Sequence, residues 1–260
     1  MGQGDTRGPV KTTRQSLAIL EYIEEAGGAT TAEIVEEFDL PKSTAYNHIN
    51  TLYENEYVAR FGGKYVVGMK LLGMGESART RHEAYPLADA MVTELAERVE
   101  EGVDFCVLEQ STVYAVFNEV VTPNDPYFRM GRQFRPHTSA AGKAILAKSS
   151  DTRVEDVLDR IEMVKLTDHT ITSKSEFEEE LGRVEKRGYA YTDEEYSDGL
   201  RAVAAPVVLP DGRVYGALSV GGPSYRFEGE YYRERIPREV LNAASELEDR
   251  IASEYRPGAK

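Results

Sequence analysis

Residues 40–67 read LPKSTAYNHINTLYENEYVARFGGKYVV, and this stretch decides the architecture. Pro41 can occupy the first turn of a helix, where its missing N–H costs nothing. Beyond it Ala45, Ile49 and Leu52 recur at helical spacing, a stripe that a core must cover. The opposite side carries Lys42, Ser43, Tyr46, Asn47 and Asn50. These are small or hydrogen-bonding groups, unlike the Glu/Lys mixture of a merely solvated face. Glu54-Asn55-Glu56 ends the helix, and residues 57–61 and 64–67 then read as two short strands about Gly62-Gly63. Upstream, Leu17, Ile19, Leu20 and Ile23 form one helical stripe that stops at Gly27-Gly28. Thr30 and Thr31 are N-cap candidates for a short helix that turns Ile34, Val35 and Phe38 inward. Three helices followed by a hairpin is the order of a winged helix-turn-helix, expected over residues 12–68.

A helix of this kind fits the major groove of double-stranded DNA and presents side chains to base edges. Asn47 and Asn50 can each grip an adenine edge with two hydrogen bonds, while Lys42, Ser43 and Tyr46 suit phosphate contacts. Arg60 and Lys64 flank the wing turn, within reach of phosphate or the minor groove. The alternative is a winged helix that makes protein contacts only. The net charge of −14 argues against DNA, because attraction of Lys and Arg to phosphate dominates affinity. Its distribution matters more. Residues 1–66 hold 6 basic and 10 acidic side chains, and the acids gather in 21–25 and 33–39, whereas 40–53 and 57–69 contain none. One face of the domain can therefore be locally basic on an acidic body. Such acidity fits a halophilic cytoplasm, where ~1 M salt screens charge beyond ~3 Å, or ordinary solubilising charge.

With 260 residues, 41% of them hydrophobic, the chain suits one large or two modest domains. No apolar run approaches the ~20 residues that span a bilayer. The start, MGQGDTRGPVKTTRQ, lacks an apolar signal core, so a cytoplasmic protein is expected. Cys106 is the single cysteine, which rules out an intramolecular disulfide and a cysteine-rich zinc site. The four histidines are scattered without HExxH spacing, and no metal or cofactor is expected.

The pattern over residues 69–82 is helical and reads as a connecting helix, with a linker at 69–85. Pro86 restarts the chain, and Leu87, Met91, Leu95 and Val99 form a further stripe that Gly102 closes. Residues 103–108 and 113–121 read as a strand pair, 139–148 as a small-residue helix and 175–187 as an acidic amphipathic helix. A second strand pair, 202–209 and 214–220, turns at Pro210-Asp211-Gly212, and a closing helix over 230–255 is interrupted at Pro237. Hairpins separated by helices imply an α+β domain with an antiparallel sheet, expected over 86–256.

Three constellations could carry chemistry. His137-Thr138-Ser139-Ala140-Ala141-Gly142-Lys143-Ala144 hints at a phosphate loop. It lacks the first glycine and the Ser or Thr that would hold magnesium. Small residues at a helix start still expose backbone N–H groups to an anion such as a carboxylate; tight helix packing would need the same residues. Asp193-Glu194-Glu195 is either an acid/base pair or a charged turn between two strands, and spacing favours the turn. Cys106 sits mid-strand among apolar neighbours, as a buried inert thiol does.

Taken in order, these segments resemble the IclR family of transcription regulators from about Arg14 to Tyr255. The resemblance rests on Leu40-Pro41-Lys42-Ser43-Thr44, Tyr65-Val66-Val67-Gly68 and the run 137–147, HTSAAGKAILA. Further matches are Leu166-Thr167 with Thr170-Ile171, Arg187-Gly188-Tyr189-Ala190, Asp193-Glu194-Glu195, Gly199, Ala204-Ala205-Pro206-Val207 and Leu218-Ser219-Val220 with Gly222-Pro223. It implies a winged helix-turn-helix joined by a linker helix to a GAF-like effector domain, and dimers that often pair into tetramers. It adds Thr44 to the DNA-facing set. It also implies a pocket for small organic or aromatic acids, whose residues carry over to Ala140, Ala141, Thr192 or Asp193, Ala202, Ser219 and Gly221. Asn47 stands where the family commonly has Arg. Ala202 and Gly221 are less polar than the family's small-keto-acid sensors, which points to a roomier pocket and an aromatic or branched acid.

The reading that follows is a DNA-binding regulator whose operator binding responds to a small carboxylate, with DNA, that effector and a second copy of itself as partners. The rivals are an enzyme on a GAF-like scaffold and an architectural DNA binder without effector. A single cysteine opposes a two-thiol reductase cycle within one chain.

Overall fold

The computed structural model describes residues 8–120 and 130–254, and the chain divides into two compact units, residues 1–81 and 82–260. The expected ends of a strand at 121, of the closing helix at 255 and of the second domain at 256 lie outside the described residues.

In the first unit α1 (Lys11–Glu25), α2 (Thr31–Glu37) and α3 (Lys42–Glu54) precede the hairpin β1 (Val58–Phe61) and β2 (Lys64–Val67), and α4 (Lys70–Arg79) follows. Thr30 caps α2: its hydroxyl accepts the Glu33 N–H, and the Glu33 carboxylate accepts the Thr30 N–H at 2.7 Å, a reciprocal box that satisfies two orphan donors. Pro41 stands one place before its expected position, as the extended N-cap of α3, with its carbonyl accepting from Thr44 and Ala45. Gly62 and Gly63 both take positive φ, 57° and 84°, as a two-residue hairpin turn matched to strand twist requires. Ile19, Ile23, Ile34, Ala45, Ile49, Leu52, Val58 and Tyr65 form the core. Ser16 Oγ and His48 Nδ1, 2.7 Å apart, tie α1 to α3.

The second unit runs α5 (Tyr85–Val99), β3 (Gly102–Glu109), β4 (Thr112–Glu119), β5 (Gln133–Phe134), α6 (Ala140–Ala147), α7 (Asp151–Leu158), α8 (Lys174–Arg187), β6 (Ala190–Asp193), β7 (Leu200–Val208), β8 (Val214–Pro223) and α9 (Ile236–Glu254). Its strands form one antiparallel sheet in the order β5-β4-β3-β8-β7-β6. The two expected hairpins are therefore fused through β3 and β8, a pairing between residues more than a hundred positions apart. Strand alternation sorts the side chains. Val103, Phe105, Val107, Val203, Ala205, Val207, Leu218 and Val220 pack with α5 and α9. Cys106, Ala115, Ala204 and Ala217 face α6. Alanines on both sides, Ala140, Ala141 and Ala144 against Ala204 and Ala217, let α6 lie close to the sheet.

The closing helix departs from expectation. Pro237 is buried in the first turn of α9, and the irregularity lies before it, as a wide turn over Tyr231–Arg235. Proline has no N–H to give the carbonyl four residues back, and its ring crowds that carbonyl. The Arg233 oxygen is instead met by the Tyr191 hydroxyl at 3.1 Å.

Candidate functional site

The polar face of α3 is laid out in the first unit as the stripe of Ala45, Ile49 and Leu52 dictates. Lys42, Ser43, Tyr46 and Asn47 are exposed, and Thr44 and Asn50 are half-buried. The members differ in freedom. The Asn50 amide donates to Glu54 at 2.8 Å within the helix. Arg60 donates to the Tyr65 hydroxyl at 2.6 Å and lies over the rings of Tyr53 and Tyr65, so the hairpin's own aromatics hold its guanidinium. Lys64 reaches back to the Gly28 carbonyl at 3.3 Å and to Glu33 at 3.6 Å. An exposed pair of that kind is worth little, so Lys64 can exchange it for another anion. Phe61, at the tip of β1, is the most exposed aromatic of this unit, at 78%.

In the second unit a cavity of about 470 Å³, counted with its mouth, opens between the sheet and the start of α6. Ala140, Ala141, Thr192, Ala202, Ser219 and Gly221 line it. Register explains the convergence: Thr192 pairs with Ala202, Ala202 with Gly221, and Ser219 with Asp104. Asp193 is a correction. It follows Thr192 on an alternating strand, so its side chain turns to the opposite face, where it accepts from Arg201 at 2.6 Å.

Ser139 caps α6 by accepting the Gly142 N–H at 3.1 Å. That leaves the amides of Ala140 and Ala141, the first two of the helix, without an acceptor among the described residues, beside small side chains. A Cβ on Gly142 would collide with the Pro136 carbonyl, so glycine is what lets the helix start sit against the preceding turn, Pro136–Thr138.

The lysine of the loop-like motif does not face the cavity. Lys143 is 1% exposed and donates to both Glu195 oxygens at 2.6 Å and to the Tyr191 carbonyl at 3.2 Å. Burial pushes the Glu195 carboxyl up, with Lys143 opposing. Each acid of Asp193-Glu194-Glu195 thus has a structural partner, Glu194 accepting the Gly199 N–H at 2.7 Å. Thr167 and Thr170 donate to the carbonyls of Glu194 and Glu195 at 2.7 and 2.8 Å. This clamp places Tyr196 at the cavity, with Phe134 against it, ring centroids 5.3 Å apart.

Sequence reasoning missed Asp104, Phe134, Tyr196 and Leu200 in the lining, and named Thr138 and Ser139 only as part of the run that starts α6. An acid at Asp104, in a strand whose neighbours Val103, Phe105 and Cys106 are all buried, was the available signal. Burial pushes its carboxyl up to about 8, with Arg132 opposing. Its Oδ1 is buried without a hydrogen-bond partner among the described residues. Cys106 lines the same cavity, buried, its thiol pushed well up by desolvation and by Asp104. That is the opposite of a reactive thiolate.

Comparison with known proteins agrees with both units. Residues 13–61 match the IclR helix-turn-helix domain, and residues 77–249 match the bacterial transcriptional regulator IclR C-terminal family. The acetate operon repressor of Salmonella typhimurium is 29% identical over 247 residues, 92% of this chain and 89% of its own. The probable HTH-type transcriptional regulator ArcR of Halobacterium salinarum is 29% identical, covering 93% and 94%. Among solved structures, the Thermotoga maritima IclR superposes with a TM-score of 0.74 at 25% identity, covering 93% and 98%. An IclR homologue from Microbacterium hydrocarbonoxydans complexed with 4-hydroxybenzoate shares the fold, with a TM-score of 0.75 at 20% identity, covering 94% and 100%. A winged helix with an open polar face, a sheet domain with a cavity, and family matches along most of the chain lead to one statement: the chain belongs to the IclR family of DNA-binding transcription regulators.

Proposed function

We propose that this regulator docks α3 in the major groove and that a small carboxylate, bound at the start of α6, modulates its operator binding. One observation carries the effector reading: Ala140 and Ala141, whose amides have no acceptor among the described residues, line the cavity. Two N–H donors and the positive end of a helix form an anion site. Ala202 and Gly221 add space without polarity, which suits an aromatic or branched acid over a two-carbon one. The bound 4-hydroxybenzoate of the Microbacterium relative supports that class. Lys42, Ser43, Thr44, Tyr46, Asn47, Asn50, Arg60 and Lys64 form the DNA-facing set, with Asn47 the freest base reader. A dimer or larger assembly doubles a site too short for one winged helix to specify. The raised thiol of Cys106 favours this reading over an enzyme on the same scaffold.

The test is a thermal-shift screen of small acids on the full chain, followed by operator binding with and without each hit. A true effector at 100 times its dissociation constant adds ~2.7 kcal/mol of stability and changes operator affinity. If only cations or sugars stabilise the protein, the carboxylate reading fails. A hit that leaves operator affinity unchanged removes the regulatory link.

A further inference from the structure

Asp104 is unexplained by a carboxylate effector alone. It sits on the cavity-facing side of β3, opposite Ser219 of β8 and one cavity-facing position from Cys106. Cys106, Ala140, Ala141, Ala202 and Gly221 share the lining with the hydroxyls of Thr138, Ser139, Thr192, Tyr196 and Ser219, and none of these hydroxyls bonds Oδ1. It is 5% exposed, and Oδ1 has no hydrogen-bond partner among the described residues. The cation nearest in effect, Arg132, opposes the rise in its pKa but donates to the Tyr196 hydroxyl at 2.8 Å and lies over the Phe134 and Tyr196 rings. A hydrocarbon side chain would pack there without penalty, whereas an unsatisfied buried acid is expensive to keep. The wall therefore holds a buried carboxyl with an unused acceptor oxygen beside the space for a ligand, while the start of α6 holds donors. A bare hydrocarbon acid would use the donors and leave the acceptor empty. It would also bring a second acid into one dry space, which favours keeping Asp104 neutral.

Resting on the carboxylate reading above, we propose that the effector carries a hydrogen-bond-donating group, a hydroxyl or an ammonium, besides its carboxylate, and that Asp104 is the acceptor that selects it. The ligand then spans the cavity with its anion at the Ala140 and Ala141 amides and its donor at Asp104. Specificity of this kind is steep, because a ligand lacking the donor leaves a buried acceptor unpaired.

The experiment measures binding by calorimetry to the full chain and to Asp104→Ala and Asp104→Asn. The probes are matched acids: benzoate with 3- and 4-hydroxybenzoate, and 3-methylbutanoate with its 2-hydroxy and 2-amino derivatives. Phenol serves as a donor without the acid. In the wild-type chain at least one substituted acid should bind about tenfold or more tighter than its parent, the scale of one hydrogen bond to an acid. Asp104→Ala should bring that ratio to within about twofold while the parent acid binds as well or better, which also shows that the variant is folded. Asp104→Asn separates the two donors: it keeps a preference for the hydroxyl and loses one for the ammonium. The proposal is overturned if parent acids bind the wild type as tightly as every derivative, if the ratio survives Asp104→Ala, or if no probe binds. If phenol binds as tightly as the hydroxybenzoates and weakens in Asp104→Ala, the acceptor role stands and the carboxylate reading falls.

Discussion

The outer face of α3 and the cavity beside α6 are both polar surfaces at helices, yet they rest on opposite physics. On α3 the side chains do the presenting. Tyr46 and Asn47 are exposed and lie outside the core of their unit. At α6 the side chains recede, and the backbone amides of Ala140 and Ala141 are presented by their smallness. The groups that make this possible, Ser139, Gly142 and the Lys143–Glu195 pair, are buried. An exposed reader can be altered at the cost of one contact, while a buried site transmits every change into the core.

The largest effect should come from pH, acting on Asp104. Its carboxyl is raised from 3.8 to about 8 in the folded chain, so between those values the folded state holds a proton that the unfolded state has released. The contribution of this one group is full below about pH 4 and is lost as pH rises towards 8, at up to ~1.4 kcal/mol per pH unit. Asp104→Asn should flatten that limb in urea unfolding curves measured from pH 4 to 9. An unchanged slope would mean that the cavity is wetter than its packing implies.

Lys143→Met comes next. It strands the Glu195 carboxylate in the interior, and breaking a buried pair on one side costs ~3–5 kcal/mol. The double replacement Lys143→Met with Glu195→Gln should recover much of the loss. If the single variant unfolds at the wild-type urea concentration, the pair does not hold the turn that positions Tyr196.

Ala141→Glu places a carboxylate where the ligand's own is proposed to sit. It should erase the ~2.7 kcal/mol that a saturating acid would add, beyond what a glutamate at this buried position costs by itself, which unfolding and operator binding without ligand measure alongside. Full retention of the ligand's thermal shift would move the anion site elsewhere.

On the exposed face, Asn47→Ala should weaken the cognate operator by ~1–3 kcal/mol and relax preference at one base pair. Asn50→Ala should do less, since its amide is already engaged by Glu54. The smallest effect is expected of Lys64→Ala: a uniform weakening on all sequences, with the salt dependence shallower by about one counterion. A base-specific loss from Lys64→Ala, or none from Asn47→Ala, would reverse the assignment of reader and anchor.

The amino-acid sequence by itself determined the first unit almost residue by residue. Its signals are local: a stripe at Ala45, Ile49 and Leu52, a cap at Thr30, and a glycine pair at the one place where two positive φ angles are needed. It also disclosed six of the cavity residues through family motifs, and the two hairpins through their turns. Tertiary structure alone decided how those hairpins join, because the β3–β8 pairing closes a loop of more than a hundred residues that no local pattern encodes. It decided between Thr192 and Asp193, since one residue of register exchanges the faces of a strand. It sent Lys143 inward to Glu195, a choice that the Gly-Lys spelling does not contain. It also put Asp104 in the wall of the cavity. An acid between apolar neighbours reads as an irregularity until the opposing strand and helix supply the dry surroundings that give its carboxyl a role.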